Sequence, residues 1–142
     1  MIYFDSCYLA KLYLMEPDSP RVRASAESAD GLASCAIARG EVLASFHRHL
    51  REGRLTQSEF RQLAAQVEVD LEAVLWTALP VTSLLIESQA RRIAGLPAAG
   101  FLRAADALHL ECAAAAGLAE IYSSDRHLIA AAPHFGLRPV VL

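Results

Sequence analysis

Short apolar runs without polar alternation recur along this chain, and stretches of helical period separate them. Residues 2–5 (IYFD), 31–35 (GLASC), 79–83 (LPVTS), 120–125 (EIYSSD) and 138–142 (RPVVL) read as strands. A strand with no polar face cannot leave one side in water, so these runs belong in a parallel sheet covered on both faces. Helical spacing fills the intervals: over 7–15, from Ser19-Pro20 to about Ala29, and over 37–50, where Gly53 stops it. Thr56 and Glu59 form a capping-box pair. The helix they open carries Phe60, Leu63, Ala64, Val67, Leu71, Val74 and Leu75 at helical spacing. Further helices are expected over 84–95, 104–116 and 126–132, with the loop LPAAG between the first two. The pattern predicts a single α/β domain over 1–142, a three-layer α/β/α sandwich around a central parallel sheet of four to five short strands.

A chain of 142 residues is long enough to bury a real core. No apolar run approaches the roughly 18 residues of a membrane span, and the N-terminus shows no basic segment followed by an apolar stretch. Cys7, Cys35 and Cys112 are isolated and odd in number, which fits a reducing, cytoplasmic compartment better than a disulfide framework or a zinc cage. The net charge of −3 excludes a globally basic nucleic-acid binder. The cations are lopsided: one lysine, Lys11, stands against twelve arginines, whose planar forks suit phosphate.

Ligands of an open parallel sheet bind beyond the carboxyl ends of its strands, where strand order reverses. Asp5 and Asp125 end two segments that echo each other, IYFD and IYSSD. A carboxylate at the end of a buried strand is costly unless something compensates it. Two more acids, Glu41 in ARGEVLASF and Asp106 in LRAADALHLECA, sit in the first turns of apolar helices. Singly, each acid has a plain structural use. Glu41 and Asp106 complement a helix dipole, and Asp5 and Asp125 can cap the helices that follow them. Gathered in one crevice, four carboxylates repel, and a hard divalent cation resolves the repulsion. Magnesium keeps several waters, which matches a sparse oxygen site, and it can activate water and steady a phosphodiester's developing charge. The sequence contains no zinc-spaced histidine pair, glycine-rich phosphate loop or nucleophile elbow.

Taken in order, IYFDS and LAKLY at the start, EVLAS around Glu41, LRAADALHLECA around Asp106 and IYSSDRHLIAAA around Asp125 resemble a PIN domain. Within that family they are most similar to the VapC-type toxin ribonucleases of bacterial toxin–antitoxin pairs. The resemblance runs from residue 1 to the C-terminus. It implies a magnesium- or manganese-dependent endoribonuclease, an RNA substrate, a homodimer and inhibition by a cognate, VapB-like antitoxin. Asp5, Glu41, Asp106 and Asp125 match the family's acidic quartet, with Asp5, Asp106 and Asp125 as metal ligands and Glu41 acting through water. Ser6 and Ser123 match the hydroxyls beside the first and last acids, placed to orient a carboxylate or bind a water. Arg39, Arg48, Arg103 and Arg126 are candidates to steer the RNA backbone. Two positions depart from the family pattern: Arg39-Gly40 replaces an aromatic–Ala pair before Glu41, and Cys7 stands where a small or hydroxyl residue is usual. Neither removes an acid.

His109 follows Asp106 by three residues on an overlapping helical face, where an acid or base would have reach, and reads as packed in place, whereas His47 and His49 read as solvated. Two other functions fit parts of the pattern. A non-cleaving PIN-like module could grip RNA or a protein, but it has no use for four mutually repelling acids. A phosphatase using Asp5 as nucleophile wants a second acid two residues on, where Cys7 stands.

Overall fold

The computed structural model describes residues 1–98 and 100–142; Ala99, inside the expected LPAAG loop, lies outside them. Among the described residues five short strands form: β1 (Ile2–Tyr3), β2 (Leu32–Cys35), β3 (Thr77–Leu79), β4 (Glu120–Tyr122) and β5 (Arg138–Val140). Their pairings are parallel, with Ile2 opposite Leu32, Ala33 opposite Thr77 and Glu120 opposite Arg138. The ribbon β1-β2-β3 meets the ribbon β4-β5 where Phe4 bridges Tyr122 and the Asp5 N–H donates to the Tyr122 carbonyl at 3.1 Å. The order across the sheet is therefore β3-β2-β1-β4-β5. Strand succession reverses between β1 and β4, so the switch point falls at that seam.

The helices are α1 (Ser6–Lys11), α2 (Ser19–Glu27), α3 (Ala38–Arg51), α4 (Gln57–Glu72), α5 (Ser83–Ala94), α6 (Ala104–Ala115) and α7 (Arg126–Ala131), followed by a 3-10 turn over Ala132–Phe135. Side chains along the strands point alternately to two cores. Tyr3, Ala33 and Ile121 pack with Leu110, Leu128 and Phe135 from the α5–α7 side. Phe4 and Leu32 pack with Leu9, Val42, Phe46 and Val67 from the α1–α4 side. This alternation makes the three layers. In α3, Val42 and Phe46 lie four residues apart on one face and are fully buried, while Arg48 and Arg51 complement the dipole in the last turn. Truncating Phe46 to Ala would cost about 3–5 kcal/mol. Gly53, at φ 70°, closes the turn after α3. Among the described residues no helix is long and apolar enough to cross a membrane, and the three cysteines are free thiols.

Several boundaries differ from the sequence reading. The first helix ends at Lys11 rather than at residue 15. Arg23 donates to the Leu12 and Leu14 carbonyls, both at 3.0 Å, and the Ser19 hydroxyl donates to Leu14 at 2.8 Å, so side chains take over from helical bonds there. Ser19 is thus a brace of this turn as well as the first residue of α2. The third strand pairs through Thr77–Leu79, not 79–83, because Pro80 has no N–H to give and Thr82 instead caps α5. Helix α4 ends before Val74, which sits at φ 56°; Val74 and Leu75 are exposed rather than on its buried face.

Candidate active site

The chain leaves β1 through Phe4 and turns directly into α1, and Asp5 sits at that junction as the N-cap. Only 4% of Asp5 is exposed. Its Oδ1 accepts the Tyr8 N–H at 2.9 Å, and its Oδ2 accepts the Ser123 hydroxyl at 2.5 Å. Ser123 is fully buried at the end of β4. Its oxygen also accepts the Asp125 N–H at 2.9 Å, and its own N–H donates to the Val140 carbonyl at 3.1 Å. One hydroxyl therefore links the two strand-end acids. Asp125 caps α7, its Oδ1 accepting the N–H groups of His127 (2.7 Å) and Leu128 (3.1 Å). The capping uses foreseen for both residues hold, and each carboxylate keeps free acceptor capacity.

Glu41 enters from the first turn of α3 and Asp106 from the first turn of α6. Both point to the same crevice: a cleft of about 320 Å³ is lined by Asp5, Glu41, Asp106 and Asp125 together, with Ser6, Cys7 and Lys11 from α1. Glu41 Oε2 lies 2.8 Å from His109 Nε2. The other ring nitrogen, Nδ1, lies 2.9 Å from the Tyr3 hydroxyl, which in turn accepts the Cys35 N–H at 2.9 Å. A polar chain thus runs from β2 through β1 and α6 to the cleft. His109 is packed in place, as expected, and it also grips a cleft acid.

The electrostatics separate the acids. Burial, partly offset by the Ser123 and Tyr8 hydrogen bonds, pushes the Asp5 carboxyl above its usual range. Burial first, and then the charge of Asp125, push Asp106 up as well, against the pull of Arg103. Burial alone would raise Glu41, but the His109 hydrogen bond and charge outweigh it and hold Glu41 below its ordinary value. His109 mirrors this: burial would lower it, and Glu41 foremost, with Asp5, raises it. Two groups with opposed shifts form a charged pair inside the cleft wall.

The arginines divide. Arg48 and Arg103 line the cleft. Arg39 does not; on the exposed face of α3 it pairs with Glu68 of α4. Arg126 is exposed outside the cleft, its Nε donating to His127 at 3.2 Å. Sequence reasoning missed Lys11 as a cleft residue. It is buried, pairs with Asp18 at 2.5 Å and lies 3.8 Å from Glu16, which shares the cleft wall. Its signal was its place four residues after Cys7, on the same helical face. His49 is buried rather than solvated, 3.6 Å from Glu16, because the last turn of α3 packs inward.

The family model of the PIN domain matches residues 2–133. The chain belongs to the PIN domain family. Among solved structures, this PIN domain is similar to VapC20 of Mycobacterium tuberculosis, described as a sarcin–ricin-loop-cleaving toxin. The TM-score is 0.70 at 19% identity, covering 92% of this chain and 95% of that one. At that identity the likeness is one of fold. No curated protein matches the sequence.

The PIN cleft suits a divalent cation by donor type, since its acids offer hard oxygen ligands. Asp106 Oδ2 is buried and has no hydrogen-bond partner among the described residues, the state expected of an oxygen reserved for an ion. Among the described residues no three carboxylate, imidazole or thiol groups converge closely enough to hold an ion by themselves. That is compatible with magnesium, which is usually bound through one or two carboxylates and completes its shell with water.

Proposed function

We propose that this PIN domain is a metal-dependent endoribonuclease that hydrolyses RNA phosphodiester bonds at the cleft of Asp5, Glu41, Asp106 and Asp125. The observation that carries the reading is that four acids, carried just beyond β1 and β4 and in the first turns of α3 and α6, line one cleft at the switch point of the sheet. Asp5 and Asp106 are the proposed direct ligands of magnesium or manganese, and Asp125 and Glu41 act through water. When bound, such an ion neutralises the acids, activates water and stabilises charge developing on a phosphodiester. The chain's own groups do the rest. Ser123 and the Tyr8 N–H fix the Asp5 carboxylate, and Ser123 keeps it in register with Asp125. His109 holds Glu41 in its charged form, so Glu41 accepts a hydrogen bond from water at its free oxygen rather than taking up the proton. Ser6, beside Glu41 in the cleft, is placed to hold a second water. Arg48 and Arg103 give the RNA backbone its cationic contacts.

The description of VapC20 as a sarcin–ricin-loop-cleaving toxin supports a toxin role for this chain, and a cognate antitoxin and a homodimer belong to the same proposal through the family likeness of its motifs. An acidic crevice is also a ready socket for an inhibitor's arginine. The test is cleavage of RNA by purified protein with magnesium, with chelator, and after Asp5→Asn. Expected is cleavage only by the unsubstituted protein with metal. Full activity of Asp5→Asn would reject the assignment.

A further inference from the structure

A second pocket of about 400 Å³ is walled by Phe101, Leu102, His127, Ala130, Ala131 and His134. Phe101 belongs to neither hydrophobic core and is 57% exposed. Its ring packs on the His127 imidazole, with centroids 4.6 Å apart and planes tilted by 58°. The pocket and the cleft have no lining residue in common, but two short chain segments run from one to the other. Arg103, two residues after Phe101, lines the cleft, and His127 comes two residues after Asp125. Two residues of chain reach at most about 7 Å.

We propose that this pocket is a subsite for an unpaired nucleobase of the RNA, next to the linkage held in the acid cleft; this rests on the nuclease reading above. An occupant of both spaces needs an anionic link beside Arg103 and a flat ring against Phe101, and single-stranded RNA alternates the two. An exposed aromatic face stacks any base. The imidazoles of His127 and His134 supply donors and acceptors to a base edge, the mode by which proteins read splayed-out single strands. The subsite therefore selects unpaired over duplex RNA and sets the preference for one base beside the cut.

The experiment uses short single-stranded RNAs, intact or with an abasic residue at each position flanking the cut. Equilibrium binding is measured in chelator and kcat/KM in magnesium. Phe101→Ala is expected to weaken binding of intact RNA about tenfold. One abasic position weakens the unsubstituted protein by a similar factor, and the two changes together cost no more than either alone. Phe101→Trp restores binding, which separates loss of stacking from loss of fold. If the unsubstituted protein cleaves RNA while Phe101→Ala binds and cleaves equally well, or if the two losses multiply, the subsite is refuted and the nuclease reading stands. If the unsubstituted protein cleaves no RNA, the nuclease reading fails and the subsite with it.

Discussion

Replacing Asp106 by Asn should stabilise the metal-free protein and remove most of the stability gained from a divalent cation. Asp106 Oδ2 is buried without a donor, and Asp125 and Glu41 add like charge beside it. An unsatisfied buried acceptor costs about 1–3 kcal/mol. The side chain is only partly enclosed, so solvent screening places the cost near about 1 kcal/mol. Asn keeps the shape, removes the charge and turns an N–H toward neighbouring carboxylates. In a domain of this size about 1 kcal/mol moves the melting temperature by about 3 °C, so in chelator the Asn variant should melt about 3 °C higher. Magnesium at a hundred times its Kd adds about 2.7 kcal/mol to the unsubstituted protein, or about 8 °C, and a small fraction of that to the variant. The order of stability therefore inverts as metal is added. The pH dependence has a definite sign: a carboxyl whose folded pKa is raised destabilises when ionised, so metal-free stability falls as pH rises through that pKa, and less so in the variant. Calorimetric melts in chelator and across a magnesium titration read all of this. Equal increments from magnesium in both proteins, or a lower melt for the variant in chelator, would refute the idea that this oxygen is kept for a cation.

Ser123→Ala removes one hydrogen bond to a buried carboxylate and one from the Asp125 N–H, a loss of about 2–3 kcal/mol; the urea midpoint should fall with the slope unchanged. The Glu41–His109 pair should stabilise most in weak acid. The contribution of His109, raised from 6.5, is complete below that value and lost as pH climbs through the folded pKa, while that of Glu41, lowered from 4.5, is present above that value and lost as pH falls through its folded pKa. Stability measured against pH should peak between those two values, and Glu41→Gln should flatten the peak. Val74→Gly should raise the melting temperature by about 3 °C, since an exposed β-branched residue at φ 56° carries about 1 kcal/mol of strain that glycine lacks.

The layers and the strand-end acids were legible because apolar runs without alternation allow little besides a covered parallel sheet. The echo between IYFD and IYSSD placed Asp5 and Asp125 at strand ends, and only their adjacency awaited the structure. Ends set by tertiary contacts were not legible. Nothing local in Val74-Leu75 marks a stop, because the chain there enters a left-handed turn without glycine. The bracing of Leu12 and Leu14 by Arg23 is a contact nine to eleven residues long, invisible to periodicity. Arg39 and Arg103 look alike as sequence, yet the first finds Glu68 across a helix pair and the second opens onto the cleft. His109 shows the opposite limit: spacing places it near Asp106, but its grip on Glu41 depends on how α6 crosses α3.

Among the described residues, Phe4 and Asp5 join the backbone of the first three strands to the last two. Proteins are made from the N-terminus, and β4 and β5 leave the ribosome after β1, β2 and β3. A polypeptide made as far as α6 already bears Asp5, Glu41 and Asp106, yet the serine that anchors Asp5 is itself tethered to Val140 on β5. During synthesis the Asp5 carboxylate therefore lacks its fixed anchor until β5 has emerged and docked.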